Sequence, residues 1–439
     1  MDSGFRRNDG FRTQVMNYSE FPLKGGPLLN EARVAFVSFH ASPLAAPGEG
    51  KAGGMNVYVR QLARSLGNVG VPVDVFTREY RPGATPEDMI ENISGNARVI
   101  HLPAGDPDAP MDEFFGLLPG FLAEMQAFTL AHGLTYRAVH SHYWLSGWLG
   151  QAFSRCMEIP HVITFHTLSR IKMQSRPGER ESLQRQEVEE ELIASADRIV
   201  AFSPHERDAM ARLYGGDADR IQLAPCGVDL GRFRPLDREE SRKQLGLNGD
   251  KVLLYVGRIE SLKGVELLVR TTAHLDTCEP VKVLVVGDDN GQDREVDRLR
   301  ELAETLEVGD SIDFVGRVAQ DELPIYYSAA DVCVVPSFYE SFGLAALESM
   351  ACGTPVVASR VGGLSTVVQH GSTGYLKAWR CPEAFANSVE MLISSKSLQH
   401  SMGLAARRRA EDMSWDKVAE QIAGIYDVLA DERAMANAT

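Results

Sequence analysis

Short apolar runs rich in valine and isoleucine alternate along the chain with longer stretches whose apolar residues recur every three or four positions. The longer stretches, such as MNVYVRQLARSLGNVG at 55–70, predict amphipathic helices. Apolar strands separated by such helices are typical of a parallel sheet covered on both faces. In the first half, the short runs predict strands at 32–38, 71–77, 97–102, 136–141, 161–165, 198–203 and 221–225.

The pattern breaks at residues 226–240, which are rich in glycine, proline and charged side chains, and a second series of apolar runs follows. We therefore expect an α/β protein of two doubly wound, Rossmann-like parallel-sheet domains, at 31–228 and 229–410, which face a cleft. Residues 1–30 lack periodicity and predict a disordered tail, with Met16 as a candidate start. The second series predicts strands at 251–257, 281–287, 311–316, 331–336 and 354–359.

The composition excludes several classes of protein. The 439 residues carry 45 basic and 60 acidic side chains, and a net charge of −15 disfavours binding to nucleic acid or anionic membranes. No apolar run approaches the roughly 18 residues that would span a bilayer, and no signal peptide is evident. We therefore expect a cytoplasmic location. The cysteines are scattered without a CxxC pair, so neither a disulfide framework nor a zinc site is expected.

The segment VPSFYESFGLAALESMACGTPVVAS, residues 335–359, places two acidic residues eight positions apart around a glycine. A helix is expected to begin near Ser341 or Phe342, with Ser341 as its N-cap. The free N–H groups of Phe342, Gly343 and Leu344 would then form an anion site at the positive end of the helix dipole.

Glu340 and Glu348 would flank this anion site. Carboxylates bind hydroxyl groups and repel phosphate, so the matching ligand is a nucleoside diphosphate sugar, with its sugar at Glu340 and its ribose at Glu348. The alternative is that Glu340 is a first-turn acid favoured by the helix dipole and that Glu348 is a solvated helix residue.

Further candidates lie where predicted strands end. The loop VGRIESLKG, 256–264, supplies Arg258 and Lys263, which suit phosphate unless the loop is only a solvated turn. Asp106, Asp108, Asp288 and Asp289 lie in predicted turns, where aspartate is common, so no metal site is expected there. In the first domain, a Gly53-Gly54 turn precedes a helix, and strand ends carry His140, His142, Tyr143, His166 and Thr167.

These motifs together resemble the retaining family-4 glycosyltransferases of GT-B fold, over nearly all of residues 32–430. The resemblance rests on ESFGLAALE, GRIESLKG, PCGVD and CGTPVVAS. Within the family, AGGMNVYVRQLA and VHSHYWLSG are similar to the D-inositol-3-phosphate glycosyltransferase of the mycothiol pathway. FHTLSR and RQEVEEELIASAD are equally similar to bacterial sucrose-phosphate synthase.

The resemblance implies roles for individual residues, and it implies no metal and no cofactor besides a UDP- or GDP-sugar donor substrate. Catalytic roles would fall to His166, Arg258, Lys263 and Glu340. The donor would be bound by Gly54, Arg258, Lys263, Glu340, Phe342, Gly343, Leu344 and Glu348. The acceptor would be bound by Asn56, Tyr143, Thr167 and Arg185.

One segment departs from both relatives, which place a lysine there to hold an acceptor phosphate. Residues 105–121 contain neither lysine nor arginine, and Met111 falls about where that lysine would be. Lys51 or Arg170 would then compensate; otherwise the acceptor is unphosphorylated or held differently.

The expected function is transfer of a hexosyl group, with retention, from a nucleoside diphosphate sugar to a hydroxyl of a small polyol, sugar or sugar phosphate. The expected ligands are small molecules, and a homodimer is compatible with the sequence. A helix within 411–439 is expected to cross back to the first domain. Three alternatives stay open: a nucleotide-sugar epimerase of GT-B shape, a transferase acting on a lipid-linked or polysaccharide acceptor, and a non-catalytic sugar-nucleotide-binding module.

Overall fold

The computed structural model describes residues 16, 18, 32–45, 53–79, 89–175, 178–247, 249–288, 294–378 and 381–438. Its strands are β1 (Arg33–Val37), β2 (Val73–Arg78), β3 (Ile90–Asn92), β4 (Ala97–Leu102), β5 (Tyr136–His142), β6 (His161–Thr164), β7 (Arg198–Ala201), β8 (Ile221–Leu223), β9 (Lys251–Val256), β10 (Val281–Val286), β11 (Ile312–Gly316), β12 (Val332–Val335), β13 (Val356–Ser359) and β14 (Gly374–Lys377).

Helices follow most of the strands, as the alternating pattern predicts. They are α1 (Gly54–Asn68), α2 (Phe114–Ala131), α3 (Trp144–Met157), α4 (Ser169–Ser175), α5 (Leu183–Ser195), α6 (Pro204–Tyr214), α7 (Arg238–Gln244), α8 (Val265–Ala273), α9 (Glu295–Thr305), α10 (Leu323–Ala329), α11 (Leu344–Ala351), α12 (Leu364–Val367), α13 (Pro382–Ile393), α14 (Lys396–Glu411) and α15 (Trp415–Ala438).

The strands form two separate sheets, which confirms the predicted fold class. The first has the order β3-β4-β2-β1-β5-β6-β7-β8 and the second β11-β10-β9-β12-β13-β14. All pairs of neighbouring strands are parallel except β3 with β4. We call the part built on the first sheet the N-lobe and the part built on the second sheet the C-lobe.

The strand order reverses between β1 and β5 in the N-lobe and between β9 and β12 in the C-lobe. In open α/β sheets, ligands bind beyond the carboxyl ends of the strands at such switch points. The loops that follow these four strands are therefore the first place to look for a site. They contain the predicted GRIESLKG and ESFG segments and the Gly53-Gly54 turn.

Two strands escaped the sequence-based prediction. β3 is a three-residue antiparallel strand with exposed side chains, and β14 is a short edge strand that alternates buried and half-buried residues. Neither presents the continuous apolar run that marks a strand buried on both faces.

The C-terminal helix α15 packs against α1 and β5 of the N-lobe. Just before α15, Ser414 forms an isolated parallel β-bridge with Val228, next to the connection between the two sheets. Ile422 and Tyr426 are buried in the same apolar cluster as Tyr58 of α1. The last helix therefore ties the end of the chain to the N-lobe.

Helix α2 together with the turn before it, Met111–Ala131, is long and apolar enough to cross a membrane by length and composition. The expectation that no apolar segment reaches this length is wrong here. Phe121, Met125 and Phe128 of this helix are buried in the N-lobe core, where Phe121 and Phe128 contact Phe39 and Phe76.

The predicted tail, 1–30, lies outside the described residues except at Met16 and Tyr18. Tyr18 is buried, packs edge-on against Phe128 and donates a hydrogen bond to Glu124 at 2.5 Å. These contacts place Tyr18 in the N-lobe core, and the disorder of the tail as a whole stays a prediction.

Candidate active site

A cavity of about 830 Å³ lies between the lobes, at the carboxyl ends of both sheets. That volume falls in the range typical of small-molecule sites. From the N-lobe it is lined by the predicted residues Gly54, Asn56, Tyr143, His166, Thr167 and Arg185. From the C-lobe it is lined by Arg258, Lys263, Glu340, Phe342, Gly343 and Leu344. The cavity thus includes all but one of the residues to which the family resemblance assigns a role.

The loop after β9 is fixed by Gly264, which adopts a left-handed φ of 71°. A Cβ atom at this position would lie 2.2 Å from the carbonyl oxygen of Pro336, so only glycine fits without a shift of the backbone. The loop after β9 is therefore pressed against the loop after β12. This contact places Lys263 beside Glu340.

Lys263 and Glu340 form an ion pair, with 2.7 Å between Nζ and Oε2. Both side chains line the cavity and stay partly accessible. Arg258 also lines the cavity and is about half exposed, with its guanidinium 3.4 Å from Glu260. The C-lobe wall therefore presents one exposed cation and one cation that a carboxylate holds in place.

The helix after β12 begins later than the sequence predicts. Its first residue is Leu344, and its N-cap is Gly343 at a left-handed φ of 98°. Ser341 is not the N-cap, because its hydroxyl donates to Tyr339 instead. The backbone N–H groups of Gly343 and Leu344 have no acceptor among the described residues. These two N–H groups remain available for an anion. The side chain of Phe342, the residue before them, packs its ring against Phe202 of the N-lobe.

Glu348 is the predicted site residue that the cavity does not include. It lies in α11 and lines a small adjoining crevice, and Leu344 separates the two spaces. Its carboxylate accepts a hydrogen bond from the Tyr327 hydroxyl at 2.9 Å. Burial raises the pKa of Glu348 to about 7. The alternative of a solvated helix residue is wrong, since Glu348 is only 8% exposed.

On the N-lobe wall, His166 and Tyr143 both take positive φ angles, of 61° and 80°. Such angles are uncommon for residues other than glycine, and they cluster at functional sites. His166 is buried and its Nε2 lies 3.1 Å from Nδ1 of His142. Burial keeps the pKa of His166 well below its ordinary 6.5, so the ring is neutral at pH 7.

Arg185 holds the loop that carries Thr167. Its guanidinium donates to the Thr167 hydroxyl and carbonyl oxygens, each at 3.0 Å. It pairs with Glu189 at 2.7 Å and with Glu181 at 3.0 Å, and it lies 4.9 Å from the centre of the Tyr143 ring. Three predicted acceptor-side residues are thus one connected cluster.

Asn56 organises the glycine turn before α1. Its Oδ1 accepts from the N–H of Gly53 at 3.1 Å, and its Nδ2 donates to the Ser42 carbonyl at 2.5 Å. A Cβ atom on Gly54 would approach Leu344 of the C-lobe to 3.2 Å. The turn therefore makes direct contact with the start of α11 across the gap.

Two further cations, Lys172 and Arg180, line the cavity and were not among the predicted site residues. Lys172 pairs with Glu181 at 2.8 Å and with Glu179 at 3.0 Å. Arg180 is exposed and makes no ion pair with a described residue. Both follow β6 beyond the FHTLSR motif, and a search for basic residues near strand ends would have found Lys172.

Met111 lines the cavity, as its position near the missing lysine suggested. Of the two proposed substitutes, Arg170 points elsewhere, because it pairs with Glu190 and lies over the ring of Tyr214. Arg170 therefore does not compensate. Lys51 lies outside the described residues.

The C-lobe wall of the cavity combines Arg258 and Lys263 with the N–H groups of Gly343 and Leu344. This wall suits an anion with hydroxyl groups next to it. The N-lobe wall carries His166, Thr167 and Tyr143 together with the cations Lys172, Arg180 and Arg185, and it suits a polyhydroxy ligand with or without an anionic group. Within the described residues, no three His, Cys, Asp or Glu side chains are grouped as metal ligands.

Comparison with known proteins agrees with this geometry. Residues 52–232 match the family model described as Glycosyltransferase Family 4, and residues 237–409 match Glycosyl transferases group 1. The D-inositol 3-phosphate glycosyltransferase of Acidothermus cellulolyticus is 39% identical, over 92% of each chain. That of Kineococcus radiotolerans is 40% identical, over 92% of this chain and 96% of the relative.

Among solved structures, sucrose-phosphate synthase from Thermosynechococcus elongatus superposes with a TM-score of 0.82 and 34% identity. The match covers 93% of this chain and all of that one. Both kinds of relative are those that the sequence motifs indicated. The chain therefore belongs to the family-4 glycosyltransferases of GT-B fold and is an enzyme of the hexosyltransferase type.

Proposed function

We propose that this enzyme transfers a hexosyl group from a nucleoside diphosphate sugar to a hydroxyl of a small polyol, sugar or sugar phosphate, with retention at the anomeric carbon and without a metal ion. One observation carries the proposal. Arg258, Lys263 and the unpaired N–H groups at the start of α11 form one wall of a cavity, opposite His166.

The donor diphosphate would lie against the C-lobe wall. When the bond from the anomeric carbon to the diphosphate oxygen breaks, negative charge develops on phosphate oxygens. Arg258, Lys263 and the Gly343 and Leu344 N–H groups are fixed before the reaction and stabilise that charge where it forms. These groups would supply the positive charge that other transferases take from a metal.

The ion pair between Lys263 and Glu340 explains how the free enzyme keeps this wall ordered. A diphosphate carries more charge than one carboxylate and would draw Lys263 toward itself. Glu340 would then be free to accept hydrogen bonds from hydroxyls of the transferred sugar. Donor binding thus exchanges one charge partner of Lys263 for another, and Glu340 exchanges its ion pair for hydrogen bonds from the sugar hydroxyls.

The acceptor would lie against the N-lobe wall, near Tyr143, Thr167 and Arg185. Its hydroxyl oxygen would bond to the anomeric carbon on the face that the diphosphate leaves. The hydroxyl proton would pass to the departing phosphate oxygen, which is on the same face. Contact of the lobes around both substrates would exclude water and favour transfer over hydrolysis.

Two features favour an acceptor with a phosphate group. The names of the D-inositol 3-phosphate glycosyltransferases and of sucrose-phosphate synthase both include a phosphate ester. In this chain Lys172, Arg180 and Arg185 line the acceptor side of the cavity, although Met111 stands near the position expected for a lysine. We therefore place the phosphate toward Lys172 and Arg180.

The function is tested by incubating the enzyme with UDP-, GDP- and ADP-sugars and a panel of polyols, sugars and their phosphates. We expect release of nucleoside diphosphate only with an acceptor present. An epimerised sugar nucleotide from donor alone would favour the epimerase, and tight donor binding without turnover on any acceptor would favour a binding module.

Lys172→Ala should raise KM for a phosphorylated acceptor more than for its unphosphorylated counterpart. The matched control is Lys417→Ala on the exposed part of α15.

A further inference from the structure

Three buried imidazoles lie in a row beneath the cavity, on the ends of β5 and the loop after β6. His140 stacks on His142 at 4.5 Å between ring centres, and His142 lies 3.1 Å from His166 between Nδ1 and Nε2. Of the three, only His166 lines the cavity. The proposed function uses His166 and assigns nothing to His142.

The protons of these rings can be assigned from their partners. A neutral imidazole has one N–H donor and one acceptor nitrogen, so the bond between His142 and His166 leaves two arrangements. The two rings are neutral because burial holds the pKa of each well below its ordinary value. Nε2 of His142 is buried and has no hydrogen-bond partner among the described residues.

If His166 donated from Nε2, His142 would have to carry its own proton on Nε2. That proton would be a buried N–H donor without an acceptor, which native structures rarely contain. If His142 donates from Nδ1, its Nε2 is only an acceptor without a partner among the described residues, and aromatic rings pack against the His142 ring. Phe36 and Tyr58 lie 4.9 and 5.8 Å from the His142 ring.

We propose that His142 is a positioning residue that donates from Nδ1 to Nε2 of His166 and so fixes His166 as the tautomer with its proton on Nδ1. Because Nε2 is occupied, Nδ1 is the nitrogen that His166 offers to a ligand in the cavity. His166 would therefore act as a hydrogen-bond donor to a substrate oxygen.

His140 packs against His142 but does not determine which ring nitrogen of His142 carries the proton. His140 contacts the Tyr426 hydroxyl at 2.6 Å and the Thr164 hydroxyl at 2.8 Å, one at each ring nitrogen. A hydroxyl can donate or accept, so either tautomer of His140 is satisfied. Tyr426 belongs to α15, so the C-terminal helix supports this row from below.

The importance of this tautomer for turnover rests on the proposed function of His166. The tautomer itself can be measured without any turnover. Two-bond proton–nitrogen NMR spectra of 15N-histidine-labelled enzyme distinguish a protonated from an unprotonated ring nitrogen. The His166 signals are identified by their loss in His166→Gln. We expect the proton on Nδ1. A proton on Nε2 in the unmodified enzyme overturns the proposal, even if the enzyme proves to transfer sugar.

Substitutions at His142 then test the consequence for turnover. His142→Asn can place an amide N–H where Nδ1 stood, whereas His142→Leu cannot donate at all. Loss of a hydrogen bond that orients a functional side chain typically lowers activity by about 10–100-fold, so we expect kcat of the leucine variant to fall by that factor. KM for the donor should change little, and the asparagine variant should recover most of kcat.

His161→Leu is the matched control, because His161 is equally buried in the same sheet and bonds to Ser141 instead. It should lower the melting temperature while leaving kcat of the folded enzyme unchanged. An unchanged kcat in folded His142→Leu overturns the proposal, as does an equal loss in His161→Leu. If no donor is turned over by the unmodified enzyme, the proposed function fails, while the NMR spectra still decide the tautomer.

Discussion

Replacing Glu348 by glutamine should change how stability depends on pH. The carboxyl is buried, and burial raises its pKa from 4.5 to about 7, although the hydrogen bond from Tyr327 works in the opposite direction. Between pH 4.5 and 7 the unfolded chain has lost this proton and the folded chain retains it. The folded state then binds more protons, so stability falls as pH rises through this window.

The size of the effect follows from the two pKa values. A shift from 4.5 to about 7 corresponds to roughly 3 kcal/mol, at about 1.4 kcal/mol per pH unit. Because Glu348 keeps 8% of its surface exposed, the desolvation is incomplete and we expect a loss of about 1–3 kcal/mol. For a lobe of this size, each kcal/mol corresponds to about 2–4 °C in melting temperature.

The assay is thermal unfolding of the unmodified enzyme and Glu348→Gln at pH 5 and pH 8. Glutamine still accepts the Tyr327 hydrogen bond and cannot ionise. The variant should gain about 2–12 °C relative to the unmodified enzyme on going from pH 5 to pH 8. Glu301→Gln, on the exposed face of α9, is the control and should show no such gain. Equal pH dependence of Glu348→Gln and the unmodified enzyme would show that Glu348 is already ionised at pH 5.

Two further predictions concern the C-lobe wall. Alanine at Arg258 or Lys263 should lower kcat by about 10²–10³-fold without unfolding the protein, because each substitution removes a fixed positive charge that stabilises the leaving group. Steady-state kinetics would be compared with those of Arg270→Ala, an exposed residue of α8, and an equal loss in this control would contradict the assignment. Gly264→Ala should destabilise the C-lobe by more than about 1 kcal/mol, since a left-handed φ and the Pro336 carbonyl both oppose a Cβ atom; an unchanged melting temperature would contradict the contact.

The fold could be predicted because its strands are buried on both faces. Runs such as ARVIHL and KVLLYV consist mostly of apolar residues, and both occur as strands within a residue of the predicted bounds. The motifs at the ends of the predicted strands then located the site, because the carboxyl ends of parallel strands meet at one edge of each sheet. The edge strands β3 and β14 were missed because half of such a strand faces solvent and its apolar signal is weak.

The details of the site depend on contacts that sequence spacing does not encode. Helix α11 starts at Leu344 because Gly343 takes a left-handed φ angle as its N-cap. No side chain caps this helix start. Glu348 turns toward Tyr327 of α10, which is far from it along the chain. Spacing placed both glutamates near one helix start, but packing decided that only Glu340 reaches the main cavity.

Metal-independent transfer with retention is tested by NMR analysis of the reaction, run in the presence of EDTA with an accepted nucleotide sugar and acceptor. We expect undiminished transfer and a product whose new glycosidic bond has the anomeric configuration of the donor. Loss of transfer on chelation, or a product of the opposite configuration, would contradict the proposal that Arg258, Lys263 and the start of α11 support departure and attack on one face.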